Sequence, residues 1–532
     1  MKQLLTIIFV SVFFHVHSQQ LEQVEDKAFG SASNDEDVFC LESESGETFC
    51  LTNSWSITNN GNKTDTTYGL YDLWLYKLDE NGNKVWDKSY GGTDYEYAAD
   101  ILLKDDFLYL IGTSSSISSG NKTAANKGEK DYWIVKTDLQ GNKIWDVSFG
   151  GDTNDFVYSA VFAEDGNIIV GGSSWSGISG DKTDARFGFN DFWVVKIDTS
   201  GNMIWENTYG GTSADGLGNI TVFQDRIILS GYSDSPQGFG KTAQHYGNGD
   251  YWLVEIDEQG NKLNDFSYGG NDRETISKTH ELNGELILAG VSTSGVSGNK
   301  TVPTYSFYSY WILKLDSNFN IKWQKVVGGD NSGANLYLYS LTSSGNEFCI
   351  GGTIKATPGT GTISNDSAYG NDDYYVEKID QQGNTVWSFR AGGDDHDRLT
   401  DITHLSNGQI LLSGYSFSGN TGSKTDPGFV GQFSRPDNWL VWLDVPTFIE
   451  EKNTNNSFSA YPNPAKEYIR FNITPTSALK KWRLISVTGK VESEGNVIEG
   501  TNQIDLQKLS SGLYFLKLTG ENQVFTKKII VK

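Results

Sequence analysis

DYWIVKTDLQGNKIWDVSFGG occupies residues 131–151, and residues 191–211 restate it as DFWVVKIDTSGNMIWENTYGG. An aspartate followed by two aromatic residues opens the string, a D-x-x-G-N turn divides it, and a glycine pair closes it. The opening recurs at Asp72, Asp131, Asp191, Asp250, Ser309 (with Tyr310 and Trp311), Asp373 and Asp437, with spacings of 59, 60, 59, 59, 64 and 64 residues. Repetition at a fixed period is the mark of an array of like supersecondary units.

Working outward from the quoted stretch, each copy divides in the same way. DFVYSAVFAED alternates and DGN turns; IIVGGSSWS, the polar loop GISGDKTDARFGFN, DFWVVKID, the turn TSGN and MIWENTYGG follow. That is four short strands joined by hairpin turns. Seven such units predict an all-β fold, a seven-bladed β-propeller of four-stranded blades over residues 19–446. A solenoid is the rival, and the ends of the array argue against it. VEDKAFG (24–30) matches only the fourth strand of a copy (WDKSYGG, 86–92), while DNWLVWLDVP (437–446) stops after the third. The N-terminal strand is therefore expected to complete the last blade and close the ring.

The recurring residues have structural explanations. Trp74, Trp133, Trp193, Trp252, Trp311 and Trp439 (Tyr375 in the sixth copy) stand on the third strand, where a large ring fills space between blades. Asp79, Asp138, Asp198, Asp257, Asp316 and Asp380 begin turns in which a carboxylate accepts backbone N–H bonds.

The rest of the composition narrows the classes. A formal charge of −25 over 532 residues repels phosphate backbones and excludes nucleic acid as the expected partner. The apolar run at residues 4–14 falls short of the ~20 residues of a spanning helix and reads as a signal peptide, 1–18, cleaved at 18–19. No transmembrane segment is expected in the mature chain. Cys40 and Cys50 flank a hairpin turn near Ser45 and Gly46, as a disulfide or as two small buried hydrophobes. Cys349 has no evident mate. With no CxxC or HExxH, a zinc site is not expected.

The D-x-x-G-N-K-x-x-W turn differs by a residue from the Asp box of sialidases and from the tryptophan-docking motif of quinone dehydrogenases. Taken with EDGNIIVGG and SFGG, it resembles the bacterial delta-60-type repeat, whose members imply a secreted or surface propeller and no shared activity. After the linker 447–457, residues 458–532 resemble the type A C-terminal sorting domain of the type IX secretion system of Bacteroidetes. The features carrying that resemblance are Tyr461-Pro462-Asn463-Pro464, Thr488-Gly489-Lys490, the stretch 509–514 with Gly512, and the basic end with Lys527 and Lys528. The resemblance implies the type IX machinery as a partner and export across the outer membrane to the cell surface or the medium. Read without it, the tail is a small sandwich of alternating strands.

No catalytic machine stands out. GFGKT (238–242) lacks the first glycine of a phosphate loop, where Ser235 stands, and no GxSxG appears. Asp35, Glu96, Asp155, Asp215, Glu274 and Asp397 each follow the second glycine of a pair, or its equivalent, by four residues; the copy starting GGDNSGAN lacks one. Six acids entering innermost strands would ring one channel mouth and hold a divalent cation such as calcium, or else cap turns and pair with neighbouring blades. No other cofactor is expected. Function is sought where copies differ. The middle residue of the S-x-S after the second strand is Trp55, Trp175 and Phe417 in three copies, a candidate stacking surface for a glycan or protein ligand. The expected role is non-catalytic binding or adhesion, with a polysaccharide hydrolase or lyase and a structural surface-layer protein as alternatives.

Overall fold

The structure, a computed structural model, describes residues 22–445 apart from 32, 56–60, 331–336, 364–367 and 430–434. It also describes residues 460–532 apart from 463, 474–478, 487–490, 499, 510–511 and 521–523. The expected signal peptide and linker, and Asn463 and Thr488-Gly489-Lys490 of the tail, lie outside the described residues. The chain forms two compact units, Met1–Val445 and Pro446–Lys532.

All described secondary structure longer than a turn is strand. In the first unit seven four-stranded antiparallel sheets follow one another, each built from neighbouring hairpins. The third sheet is typical: Asp155–Phe162, Ile168–Ser174, Asp191–Ile197 and Met203–Tyr209, in sequence order. The second and third strands are buried on both faces and read as continuous apolar runs, whereas the outer strand is mostly half-buried. The exception to sequence order is the last sheet, in which Glu22–Phe29 pairs antiparallel with Asp437–Asp444.

Successive sheets pack through their innermost strands, and the innermost strand of the seventh (Asp397–His404) also touches that of the first (Asn34–Glu42). One backbone bond repeats at these junctions. Glu96 N donates to Tyr71 O (2.8 Å), Asp155 N to Lys130 O (2.7 Å), Asp215 N to Asn190 O (2.8 Å), and Asp35 N to Pro436 O (2.9 Å). The last of these joins the first sheet to the seventh.

The turn aspartates act as their type predicts. Asp138 Oδ1 accepts from the N–H groups of Gln140 (2.9 Å) and Asn142 (2.8 Å), and Gly141 takes φ +74° beside it. Cys40 and Cys50 are directly opposed on paired strands, with Cα atoms 4.2 Å apart, and form a disulfide. Cys349 is buried and free, its thiol pushed up to about 12 by burial.

In the second unit Ala460–Tyr461, Tyr468–Ile473 and Gly500–Asp505 form one sheet; Val491–Asn496, Leu479–Ser486, Gly512–Gly520 and Val524–Val531 form another. Ile469, Phe471 and Ile504 from the first share a core with Leu484, Leu516 and Ile529 from the second. The tyrosine-proline turn leads into buried Ala465, whose N–H bonds Ile530 O while its carbonyl accepts from Lys532 N, both at 2.8 Å. The segment after the turn and the basic terminal strand thus meet in space. Gly512 lies opposite Val531, and Lys527 opposite Leu516.

Candidate functional site

Separating scaffold from site begins with the acids. Asp35, Glu96, Asp155, Asp215, Glu274 and Asp397 are all wholly buried. Each closes the turn before its own strand. Asp155 Oδ2 accepts from Gly151 N (2.7 Å) and Ser176 Oγ (3.0 Å), and Asp397 Oδ2 from Gly393 N (2.7 Å) and Ser418 Oγ (3.0 Å). The serines are the second ones of the S-x-S motifs, so that motif exists to hold the acid. Among the described residues no three His, Cys, Asp or Glu side chains are grouped as a cation site requires. The structure thus places the six acids at separate junctions.

Beside each acid lies the lysine of the G-N-K-T loop. Lys63, Lys122, Lys182, Lys241, Lys300 and Lys424 are at most 2% exposed. Each ammonium sits 5.4–5.9 Å from the ring centroid of the third-strand Trp of its sheet. Burial lowers Lys63 to about 8, against the opposing pull of Asp35, Asp72 and Asp87. The sixth sheet shows that lysine and Trp form a unit. There Ile363 replaces the lysine and packs in the same apolar cluster as Tyr375, which replaces Trp. The cation for Asp373 comes instead from Arg390, buried, with Nε 2.5 Å from Oδ2.

With the scaffold removed, the residues that vary between sheets converge on one cavity of about 870 Å³, to which all seven sheets contribute. Its aromatic lining includes Tyr97, Phe156, Trp175, Tyr232, Tyr337 and Tyr339. The charged side chains lining it are Lys130, Arg273, Lys278 and Asp37. This size and an apolar wall with a few polar groups suit a small ligand or one part of a polymer.

Trp55 and Trp175 are 41% and 48% exposed, so neither ring is packed beneath the long loops. Trp55 lies against Tyr71 (centroids 5.6 Å), and Tyr71 against Tyr95 (6.1 Å) and Tyr97 (5.9 Å), so an aromatic row runs from Trp55 to the cavity wall. Trp175 meets Phe156 edge-on at 6.3 Å. The Lys130 ammonium bridges the two groups, 5.1 Å from the Tyr97 ring and 5.0 Å from that of Phe156. Phe417 packs against His396 (6.2 Å) and Tyr415 (6.1 Å). Among the described residues no ring contact joins Phe417 to Trp55.

A polar group stands where the sixth and seventh sheets meet. Arg398 donates to Tyr415 Oη (3.3 Å) and lies 3.5 Å from Asp372, which also holds His396 Nδ1 at 2.5 Å. Burial pushes Asp37 up to about 6, opposed by Asn53 and by the Arg398 charge. Glu36 is also raised to about 6, by burial and then by the neighbouring Asp37 charge.

Sequence reasoning missed most of these residues. Tyr71, Lys130 and Tyr308 precede the repeated aspartate (or Ser309), and Tyr95 and Arg273 precede the strand-opening acid. The signal was available: these positions vary while both neighbours on one side stay fixed.

Comparison with known proteins bears chiefly on the tail. Residues 459–532 match the family described as secretion system C-terminal sorting domain. The chain therefore carries a type IX sorting tail, which addresses it across the outer membrane to the cell surface or the extracellular space and implies contact with that machinery. The regulatory protein FlaEY of Caulobacter vibrioides is 24% identical over 401 residues, 66% of this chain; the chain spans 40% of that protein. Three solved structures resemble the backbone course. The hydrazine synthase of Kuenenia stuttgartiensis has a TM-score of 0.40 at 10% identity, covering 73% of this chain and 94% of that one. The phage phi92 endosialidase scores 0.38 at 9% identity, covering 96% and 87%. Drosophila plexin A, in complex with semaphorin 1b, scores 0.38 at 8% identity, covering 80% and 88%. Among the described residues no helix is long and apolar enough to cross a membrane.

Proposed function

We propose that the seven sheets close into a seven-bladed β-propeller, led by a cleaved signal peptide and exported by way of its sorting tail, whose axial cavity binds a glycan without transforming it. The bond from Asp35 N to Pro436 O and the pairing of Glu22–Phe29 into the last sheet support closure. The repeat and tail residues support, in turn, kinship with the delta-60-type repeats and an origin in Bacteroidetes. The observation that carries the binding reading is the aromatic row from Trp55 to Tyr97, which with Trp175 flanks the cavity. Exposed flat rings with a polar edge suit the apolar faces of pyranose rings. Stacking of this kind needs no activated group.

The test is retention of the full chain on a glycan array and on insoluble polysaccharides, with product analysis of whatever is retained. Retention without new reducing ends, weakened at least tenfold by Trp175→Ala and several-fold by Trp55→Ala, is expected. New reducing ends would replace this reading with a hydrolytic one. The raised carboxyls of Glu36 and Asp37, adjacent on one strand with Asp37 lining the cavity, favour that second reading. Failure to retain any sugar would overturn both and turn attention to a protein ligand.

A further inference from the structure

The charge of the cavity runs against the charge of the chain. Acids exceed bases by 25 overall, yet the cavity wall carries three cations and one carboxylate. One of the cations, Lys278, is shared between two carboxylates, its charge acting on both Asp100 and Asp401. Lys130 and Arg273 are different. Among the described residues neither side chain has a hydrogen bond or a salt bridge to a carboxylate; each is held over aromatic rings instead. Lys130 lies over Tyr97 and Phe156, and the Arg273 guanidinium lies 5.0 Å from the Tyr232 ring centroid. Asp234 senses the Arg273 charge without contacting it.

Ring faces hold a cation by its charge and leave it without a bonded counter-ion. On so acidic a protein a surface cation would ordinarily find a carboxylate of its own. Two that do not, in one cavity beside a stacking platform, mark the place of an anion supplied from outside. Gly216, Gly218, Thr275 and Ser277 also line the cavity.

We propose that the glycan taken by this cavity is acidic, with sugar rings stacked on Phe156 and Trp175 and their carboxylate or sulfate groups held by Lys130 and Arg273. The proposal rests on the glycan-binding reading and goes further by naming the charge of the ligand. Arginine meets either oxyanion with two parallel N–H donors, whereas Lys130 contributes a point charge.

The experiment measures binding of the full chain to uronic-acid polymers and to a sulfated galactan, each beside its carboxyl-reduced or desulfated counterpart. A poly-glutamate peptide supplies the charge without the ring. One acidic polymer is expected to bind at least tenfold more tightly than its neutral counterpart and than the peptide, and the preferred polymer tells carboxylate from sulfate. Binding should weaken as salt rises. Lys130→Met and Arg273→Gln should each remove most of the preference, and Lys130→Arg should keep it, at an unchanged unfolding midpoint. Equal binding of the neutral counterpart would overturn this inference and leave glycan binding standing. Equal binding of the peptide would overturn it in favour of an acidic protein segment. Absence of binding to every polymer, acidic and neutral, would remove the glycan reading as well.

Discussion

Trp439 and Asp26, 413 residues apart in the chain, are hydrogen-bonded from the indole Nε1 to Oδ2 at 2.9 Å. The same Oδ2 accepts the N–H groups of Thr425 (2.9 Å) and Asp426 (3.1 Å). In the second sheet the equivalent bond spans only 13 residues, from Trp133 to Asp146 at 3.0 Å. The N-terminal strand thus supplies to the last sheet the acceptor that the first five sheets take from their own fourth strands.

Asp26→Ala leaves the buried Trp439 indole N–H without an acceptor and frees two part-buried backbone N–H groups. At about 1–3 kcal/mol for an unsatisfied buried group, a loss of about 2 kcal/mol is expected. Asp26→Asn keeps an acceptor and should cost less. Denaturant unfolding of the full chain, followed by tryptophan fluorescence, provides the measure. Equal midpoints for wild type and Asp26→Ala would show that the last sheet does not depend on this strand.

Arg390→Met should be among the most damaging single changes in the sixth sheet, because it leaves Asp373 buried beside no cation. Breaking such a pair costs about 3–5 kcal/mol. The fifth sheet indicates the remedy, since Ser309 stands there in place of the aspartate. Arg390→Met combined with Asp373→Ser should therefore recover most of the loss in a double-mutant cycle. Additive losses would mean that the pair is not the unit proposed.

Stability should peak on the acid side of neutrality. Burial pushes Asp72 and Asp437 up to about 7. The buried Oδ1 of Asp72 has no hydrogen-bond donor, while Oδ2 accepts from Tyr68 N. A folded pKa above the unfolded value means a contribution present in full below about pH 4 and lost as pH rises through about 7, by up to about 1.4 kcal/mol per pH unit and group. Asp87 and Asp146 work in the opposite sense. Burial would raise them, but donors such as Lys84 and the Ala124 N–H bring them down to about 2, so their contribution is lost as pH falls from about 4 towards 2. Unfolding midpoints between pH 3 and 8 should show the peak, and Asp72→Asn with Asp437→Asn should flatten its neutral limb. An unchanged limb in that variant would locate the effect elsewhere.

Glu36→Gln and Asp37→Asn distinguish binding from hydrolysis. A binder should retain its glycan after either change, with no new reducing ends from the wild type at any pH between 4 and 8. Product that disappears in Asp37→Asn, with a wild-type pH profile turning near 6, would instead identify a working carboxyl.

Much of the architecture could be read in advance because strand and turn signals are local. The alternation of DFVYSAVF, the Asp138–Gly141 turn and the unpaired VEDKAFG each act through residues within a few positions of one another. The candidate site was less legible. Trp55 and Trp175 stood out as large rings in a motif otherwise small and polar, and both are exposed. Lys130 and Arg273 did not stand out, since a lone cation in a polar loop looks the same whether it meets solvent, a carboxylate or a ring.

The amino-acid sequence alone determined the repeat, the four-strand unit, the displaced N-terminal strand and the sorting tail, all of which follow from period, turn chemistry and short motifs. Only the tertiary structure decided that the strand-opening acids are buried at separate junctions and that each G-N-K-T lysine lies over its tryptophan. It alone brought Lys130, Arg273 and the aromatic row to one cavity. These are relations between side chains from different sheets, and their distances and burial exist only once the sheets have packed.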